Sequence, residues 1–163
     1  MMRHLLYIAS IFLVVLSSCS KDKFTSAPQI KFKSIAPNYF YDGTFSTDFP
    51  ALPILHFQLT DAEGDIGIND TSHSSYVYIR NITTNPNELD SVKFPDLSKI
   101  NHKNLNADIA ISLFDQQDLL LVPDPGPGNR PHTDTLYYEV YVKDFANNKS
   151  NVVKMGPLYY IFK

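Results

Sequence analysis

Side chains that carry oxygen atoms concentrate in two short polar stretches of this sequence. The first stretch follows an apolar run and holds Asp61, Glu63 and Asp65, and the second holds Asp144 and Asn147. Carboxylate and amide oxygens are the ligands that Ca²⁺ prefers, and one ion takes about six to eight of them. The favoured interpretation is that these side chains cap tight turns through hydrogen bonds to the backbone. If the fold brings the two stretches together, weak Ca²⁺ binding is the alternative hypothesis, and a direct ligand site is a further one.

The first acidic stretch begins like an EF-hand loop but does not continue as one. Asp61, Glu63 and Asp65 match the start of such a loop. Ile66 then stands where the loop requires glycine, and Ser72 stands where it requires a bidentate glutamate. The sequence therefore excludes an EF-hand.

The one cysteine of the chain, Cys19, directly follows Leu16, Ser17 and Ser18 at the end of an apolar run over residues 5–16. This run of about twelve residues is shorter than the roughly 20 needed to span a membrane, and its length is typical of a secretory signal. The segment 16–19 resembles the lipobox of bacterial lipoproteins. The resemblance implies a lipoprotein signal peptide over residues 1–18 and acylation of the Cys19 thiol, a strong nucleophile as the thiolate. Two or three acyl chains then imply stable membrane anchoring.

The residues after Cys19 bear on where the anchored protein would lie. Ser20 stands where an aspartate would signal retention in the inner membrane, so the resemblance implies an outer-membrane lipoprotein of the cell envelope. Residues 20–23 resemble the charged export signal of Bacteroidota surface lipoproteins, which leaves both a periplasm-facing and a surface-exposed location open. We expect residues 19–27 to form a tether and residues 28–163 to form one domain.

Composition favours an all-β domain and argues against one class of partner. The 163 residues include 14 Lys and Arg against 17 Asp and Glu, a net charge of −3, with no basic patch, so we expect no binding to nucleic acid. The chain has 10 Tyr, 11 Phe and 11 Pro, which indicates strand formers interrupted by turns. No internal repeat or heptad pattern is present.

Alternating apolar residues predict about seven strands and no helix. The clearest are at 54–60, where Leu55, Phe57 and Leu59 share one face, and at 135–143. The other predicted strands are 29–35, 76–82, an edge strand within 83–105, 107–114 with 119–122 as its continuation or a short addition, and 152–162. Residues 36–53 are predicted to be a connection lying on the sheet. An antiparallel β-sandwich fits this pattern, with a closed barrel as the main alternative.

Two segments resemble known bacterial sequences. Residues 57–67 resemble an acidic, glycine-containing signature of small Bacteroidota lipoproteins of uncharacterised role. Residues 138–151 resemble the last hairpin of bacterial immunoglobulin-like domains, with Asn147-Asn148 in place of Gly-Asn. This resemblance implies an immunoglobulin-like sandwich, in which both acidic stretches and the start of the first strand lie at the same pole.

Catalysis is not expected, because the sequence contains no Gly-x-Ser-x-Gly, His-Glu-x-x-His or Cys/His constellation. We therefore expect a non-catalytic binding or assembly module that docks to another envelope protein. The alternative is a glycan-binding accessory protein whose exposed tyrosines stack on sugars. The candidates for such stacking are Tyr76, Tyr78, Tyr137 and Tyr141.

Overall fold

The computed structural model describes residues 24–42, 52–67, 74–97, 103–113 and 117–163. The predicted signal peptide, Cys19 and most of the predicted tether lie outside these residues, as does Ser72. In the described ranges, no helix has the length and the apolar character to cross a membrane.

The described residues form a sandwich of a three-stranded and a five-stranded sheet, which confirms the predicted all-β class. The strands are β1 (Gln29–Ala36), β2 (Tyr39–Tyr41), β3 (Ile54–Asp61), β4 (Tyr76–Asn81), β5 (Asp90–Lys93), β6 (Leu105–Ser112), β7 (His132–Lys143) and β8 (Val153–Phe162). The first sheet has the order β1-β3-β6, and the second has the order β2-β8-β7-β4-β5. All neighbouring strands are antiparallel apart from β2 and β8, which are parallel.

This strand order is the order of an immunoglobulin-like sandwich. In that fold the first, second and fifth strands share one sheet, and the third, sixth and seventh share the other. Setting aside only the short strand β2, the first, second and fifth strands are β1, β3 and β6, and the third, sixth and seventh are β4, β7 and β8. The fourth strand, β5, lies at the edge of the second sheet. The buried Tyr138 hydroxyl donates a hydrogen bond to the Leu119 carbonyl at 3.1 Å. This contact across the connection from β6 to β7 is comparable to the tyrosine corner of such sandwiches.

The core lies between the inner faces of the two sheets. Leu55, Phe57 and Leu59 on β3 are fully buried, as the alternation predicts, while the residues between them are half-buried. On β7 the buried set alternates in the same way and comprises Leu136, Tyr138, Val140 and Val142. His56 lies on the other face of β3, as predicted.

A bulge in β1 changes which residues of that strand face the core. The pairing with β3 shifts between Phe32 and Ser34, so the side chains after the shift exchange faces. Ile35 is consequently buried with Ile30, although simple alternation places it on the opposite side. Simple alternation, which would keep Ile30, Phe32 and Ser34 on one face, therefore ends at the bulge after Phe32.

Two connections differ from their predicted conformations. Within the segment 36–53, residues Tyr39–Tyr41 form a strand that pairs with β8, because the buried Phe40 packs against Tyr160 with ring centroids 5.5 Å apart. The stretch predicted as a strand at 119–122 instead begins within a 3₁₀ helix over Gln117–Leu120. The Leu119 carbonyl there accepts hydrogen bonds from Tyr138 and Asn81 rather than from a strand.

β8 is irregular at Gly156-Pro157. Leu136 pairs with Leu158 and Tyr138 pairs with Met155, so β8 has one more residue than β7 between the two pairs. Gly156 has φ of +137°, and a Cβ atom there would lie 2.8 Å from Tyr137 Cδ1 and 2.9 Å from the Leu136 carbonyl oxygen. Both its backbone conformation and its surroundings therefore require glycine.

A side chain joins the two sheets at the start of β1. Asn151, two residues before β8, accepts a hydrogen bond from the Ile30 N–H at 2.8 Å. Its amide also donates to the Ile30 carbonyl at 2.9 Å. Asn151 thus pairs with the main chain of Ile30 as a neighbouring strand would.

Candidate metal centre

Asp61 is the last residue of β3 and belongs to its inward-facing set. Because side chains alternate along a strand, the sequence that buries Leu59 also turns Asp61 inward, and its exposed fraction is 0%. Its Oδ2 accepts hydrogen bonds from the N–H groups of Gly64 at 2.6 Å and Asp65 at 3.2 Å. Its Oδ1 is buried and has no hydrogen-bond partner.

Asp65 connects the loop after β3 to the turn between β7 and β8. Its Oδ2 accepts a hydrogen bond from the Ala146 N–H at 3.1 Å, across 81 residues of sequence. Its Oδ1, like that of Asp61, is buried without a partner. One oxygen of each side chain is therefore used by the backbone, and the other is not.

Asp144 completes the cluster from the other loop. It follows β7 directly and is buried, and its carboxylate accepts hydrogen bonds from the Asn148 N–H at 2.7 Å and the Asn148 amide at 2.9 Å. One carboxylate oxygen each from Asp61, Asp65 and Asp144 lies within 4.8 Å of the others. The predicted convergence of the two acidic stretches at one pole is thus present.

The electrostatics of the cluster disfavour three negative charges without a counter-charge. Burial raises the pKa of Asp61, the N–H groups of Gly64 and Asp65 lower it, and the charges of Asp144 and Glu63 raise it further. Burial and then the Asp144 charge raise the pKa of Asp65 to about 6, against the bond from Ala146. Such shifts indicate a site that gains from a bound proton or a bound cation.

The spacing of the carboxylates suits Ca²⁺. Ligand oxygens lie about 2.3–2.6 Å from Ca²⁺, so two ligands on opposite sides of the ion are roughly 4.6–5.2 Å apart. The oxygens of Asp61, Asp65 and Asp144 fall within 4.8 Å of one another, so one ion can touch all three. Mg²⁺ requires ligands at about 2.0–2.1 Å in near-ideal octahedral geometry and gives up its water reluctantly, so it is less suited to a site built from protein oxygens.

The structure places the other two predicted ligands at the edge of this pole. Glu63 is exposed and is not one of the three clustered carboxylates, although its charge raises the pKa of Asp61. Asn147 is also exposed, and its backbone has φ of 67° with its N–H bonded to the Asp144 carbonyl at 3.1 Å. Asn147 therefore serves the turn that presents Asp144, in the conformation for which Asn substitutes for glycine.

Ser75 is a positioning residue that the sequence does not reveal. It is fully buried, and its hydroxyl accepts a hydrogen bond from the Gly67 N–H and donates one to the Asp65 carbonyl, each at 3.2 Å. These contacts hold residues 65–67 of the acidic loop against the start of β4. A serine in a polar loop gives no sequence signal of such a role.

The chain approaches the domain at the same pole. The Thr25 carbonyl accepts a hydrogen bond from the Ala62 N–H at 3.1 Å, and Gln29 pairs with Thr60 at the start of β1. The acidic loop therefore lies beside the point where β1 begins, as the immunoglobulin-like resemblance implies.

Comparison with known proteins identifies no relative of this chain. No family model matches the chain, and no curated protein and no solved structure matches it significantly.

Proposed function

We propose that this chain is a lipid-anchored, non-catalytic binding or assembly module of the cell envelope whose sandwich is stabilised by Ca²⁺ at its acidic pole. The observation that carries the metal part is the pair of buried, unpartnered oxygens, Asp61 Oδ1 and Asp65 Oδ1, in a cluster of three carboxylates. An ion at this position would supply the interaction that both oxygens lack.

Turn capping explains only one of the two carboxylate oxygens of Asp61 and of Asp65. Both bonds that cap the loop after β3 go to Asp61 Oδ2, and an asparagine at this position could accept them. Leaving a charged group buried without a partner costs about 1–3 kcal/mol or more. The cap explains the hydrogen bonds that Oδ2 accepts. A bound cation would explain why this residue is an aspartate and why its second oxygen is also buried.

The position of the cluster indicates what a bound ion would do. Asp61 ends β3 of the three-stranded sheet and Asp65 follows it, whereas Asp144 follows β7 of the five-stranded sheet. An ion held by all three would join the two sheets at one end of the sandwich. Its contribution would therefore be to stability and loop order, since no group with an evident catalytic role lies among the three carboxylates.

The anchor and the docking role rest on the sequence. The lipobox at residues 16–19 supports acylation of Cys19, and attachment at that residue would bring the membrane to the pole where β1 begins. Incorporation of a labelled fatty acid by the wild-type chain, and none by Cys19→Ala, tests the anchor. If the wild-type chain incorporates no label in a host that processes lipoproteins, the proposed anchor is refuted.

Calorimetric titration and thermal unfolding test the metal site. Titration of purified, chelator-treated protein with CaCl₂ is expected to give a saturable heat with one ion per chain, and Ca²⁺ is expected to raise the melting temperature above its value in EDTA. MgCl₂ is the matched control and is expected to act more weakly, because Mg²⁺ dehydrates reluctantly and requires near-ideal octahedral geometry. Identical melting curves in EDTA and in millimolar Ca²⁺ would refute the metal site.

Glycan binding is a second candidate, and one pair of residues favours it. Tyr39 and Tyr159 are 39% and 38% exposed and are paired in register on β2 and β8. The rings of Tyr137 and Tyr141 have Lys154 and Lys149 over them at 3.9 and 4.0 Å, which limits their use as a sugar platform. Binding to a panel of polysaccharides that is lost in the double variant Tyr39→Ala, Tyr159→Ala would support this alternative.

A further inference from the structure

A narrow groove on the outer face of the five-stranded sheet has the charge and the shape to receive an acidic side chain. It is lined by Arg80, Leu89, Glu139, Tyr141, Lys149 and Val152. We propose that this groove docks an extended acidic segment of a partner protein, with one Glu or Asp carboxylate of that segment bound by Arg80 and Lys149. The proposal goes beyond the metal site, because it uses another surface and other residues.

Arg80 provides the polar contact. Its side chain is half-buried, and its Nε atom is buried with no hydrogen-bond partner. Because Nε is closed to solvent, a carboxylate in the groove would accept from the Nη–H groups, which form a planar fork of donors.

The charge of this face selects an anion. Arg80 lies opposite Glu139, which lies opposite Lys154 on the next strand, so the one acid of this row stands between two cations. Lys149, which lines the groove, and Lys143 add further positive charge nearby. The chain as a whole has a net charge of −3, so this face differs in sign from the rest. Local positive charge of this kind favours and orients acidic partners.

The shape and the apolar rim favour a peptide over a sugar. The groove has a volume of about 90 Å³, which suits one carboxylate group. Leu89 and Val152 flank it and are 41% and 49% exposed, so they are available to apolar neighbours of the bound acid. The Tyr141 ring is stacked on Tyr78 at 4.8 Å and has Lys149 over it, so it offers little free surface to a sugar.

Fluorescence polarisation with labelled peptides tests the proposal on the full chain in detergent. The probe is a capped peptide of alternating Glu and Leu, and the control peptide has Gln in place of each Glu. The Glu peptide is expected to bind with saturation below millimolar concentration and at least tenfold more tightly than the Gln peptide. Polygalacturonate serves as the glycan arm, since it carries carboxylates on sugars, and it is expected to compete poorly.

Matched variants identify the groove. Arg80→Met and Lys149→Met are each expected to weaken binding of the Glu peptide at least tenfold while the circular dichroism spectrum stays that of wild type. Lys31→Met removes the same charge from an exposed position on the three-stranded sheet and is expected to bind as wild type does. No saturable binding of the Glu peptide, equal loss in Lys31→Met, or tighter binding of polygalacturonate than of the peptide would each overturn the proposal.

Discussion

Replacing Asp61 by asparagine should make the protein more stable without Ca²⁺ and less stable with it. Asparagine has nearly the same shape, and its Oδ1 can keep the bonds from the N–H groups of Gly64 and Asp65. The change removes a buried negative charge from beside Asp144, and burial and that charge both raise the pKa of Asp61. In EDTA we therefore expect Asp61→Asn to gain about 1 kcal/mol in free energy of unfolding.

Bound Ca²⁺ reverses the order of the two proteins. For a dissociation constant of about 0.1–1 mM, the range of extracellular Ca²⁺ modules, 10 mM Ca²⁺ stabilises the wild type by roughly 1.4–2.7 kcal/mol. For a domain of this size that is a rise of about 4–8 °C in melting temperature. Asp61→Asn lacks one of three carboxylate ligands and is expected to gain little of this rise.

The assay is thermal unfolding of both proteins in EDTA and in 10 mM Ca²⁺, followed by circular dichroism. Glu63→Gln makes the same change of charge at an exposed residue outside the cluster, so it should keep most of the Ca²⁺ effect. If Asp61→Asn is the less stable protein in EDTA, the ionised carboxylate is needed for the turn itself, and the reasoning from its unpartnered oxygen fails.

Three further predictions concern pH and packing. Because the folded-state pKa of Asp65 is raised from 3.8 to about 6, the free energy of unfolding in EDTA should fall as pH rises from about 4 to about 6, and Ca²⁺ should abolish that fall; urea titrations at each pH measure it. Tyr138→Phe should cost about 1 kcal/mol in urea unfolding, because it removes the buried bond to the Leu119 carbonyl. Gly156→Ala should lower the melting temperature by several degrees through its close contacts at positive φ, whereas Gly128→Ala, with open space around it, should change it little.

The inner residues were predictable for strands that bury one face along their whole length. In β3 and β7 the period of two survives intact, so the inner residues of both follow from the sequence. Alternation in β1 fails after Phe32, because the bulge depends on the pairing with β3 and not on the residues of β1 alone. Residues Tyr39–Tyr41 form too short a strand for a periodic signal, and the parallel partner β8 lies far along the chain.

The three clustered carboxylates were predictable from the sequence, but the limits of the site were not. The residue types and the expected position of both loops at one pole were sufficient to predict that Asp61, Asp65 and Asp144 lie close together. Sequence could not separate them from the exposed Glu63, because the burial of Asp61 depends on where β3 ends. The role of Ser75 depends on hydrogen bonds to main-chain atoms, which no residue pattern encodes.

The pairing of Asn151 with Ile30 has a mechanical consequence. Tension applied through the residues before Gln29 would act along β1, nearly at right angles to its hydrogen bonds with β3, so that these bonds share the load in shear. The two bonds from Asn151 attach the loaded end of β1 to the second sheet as well. A force that peels β1 from the domain must therefore break contacts to both sheets at its first step. The N-terminal strand is thus held by both sheets and not by β3 alone.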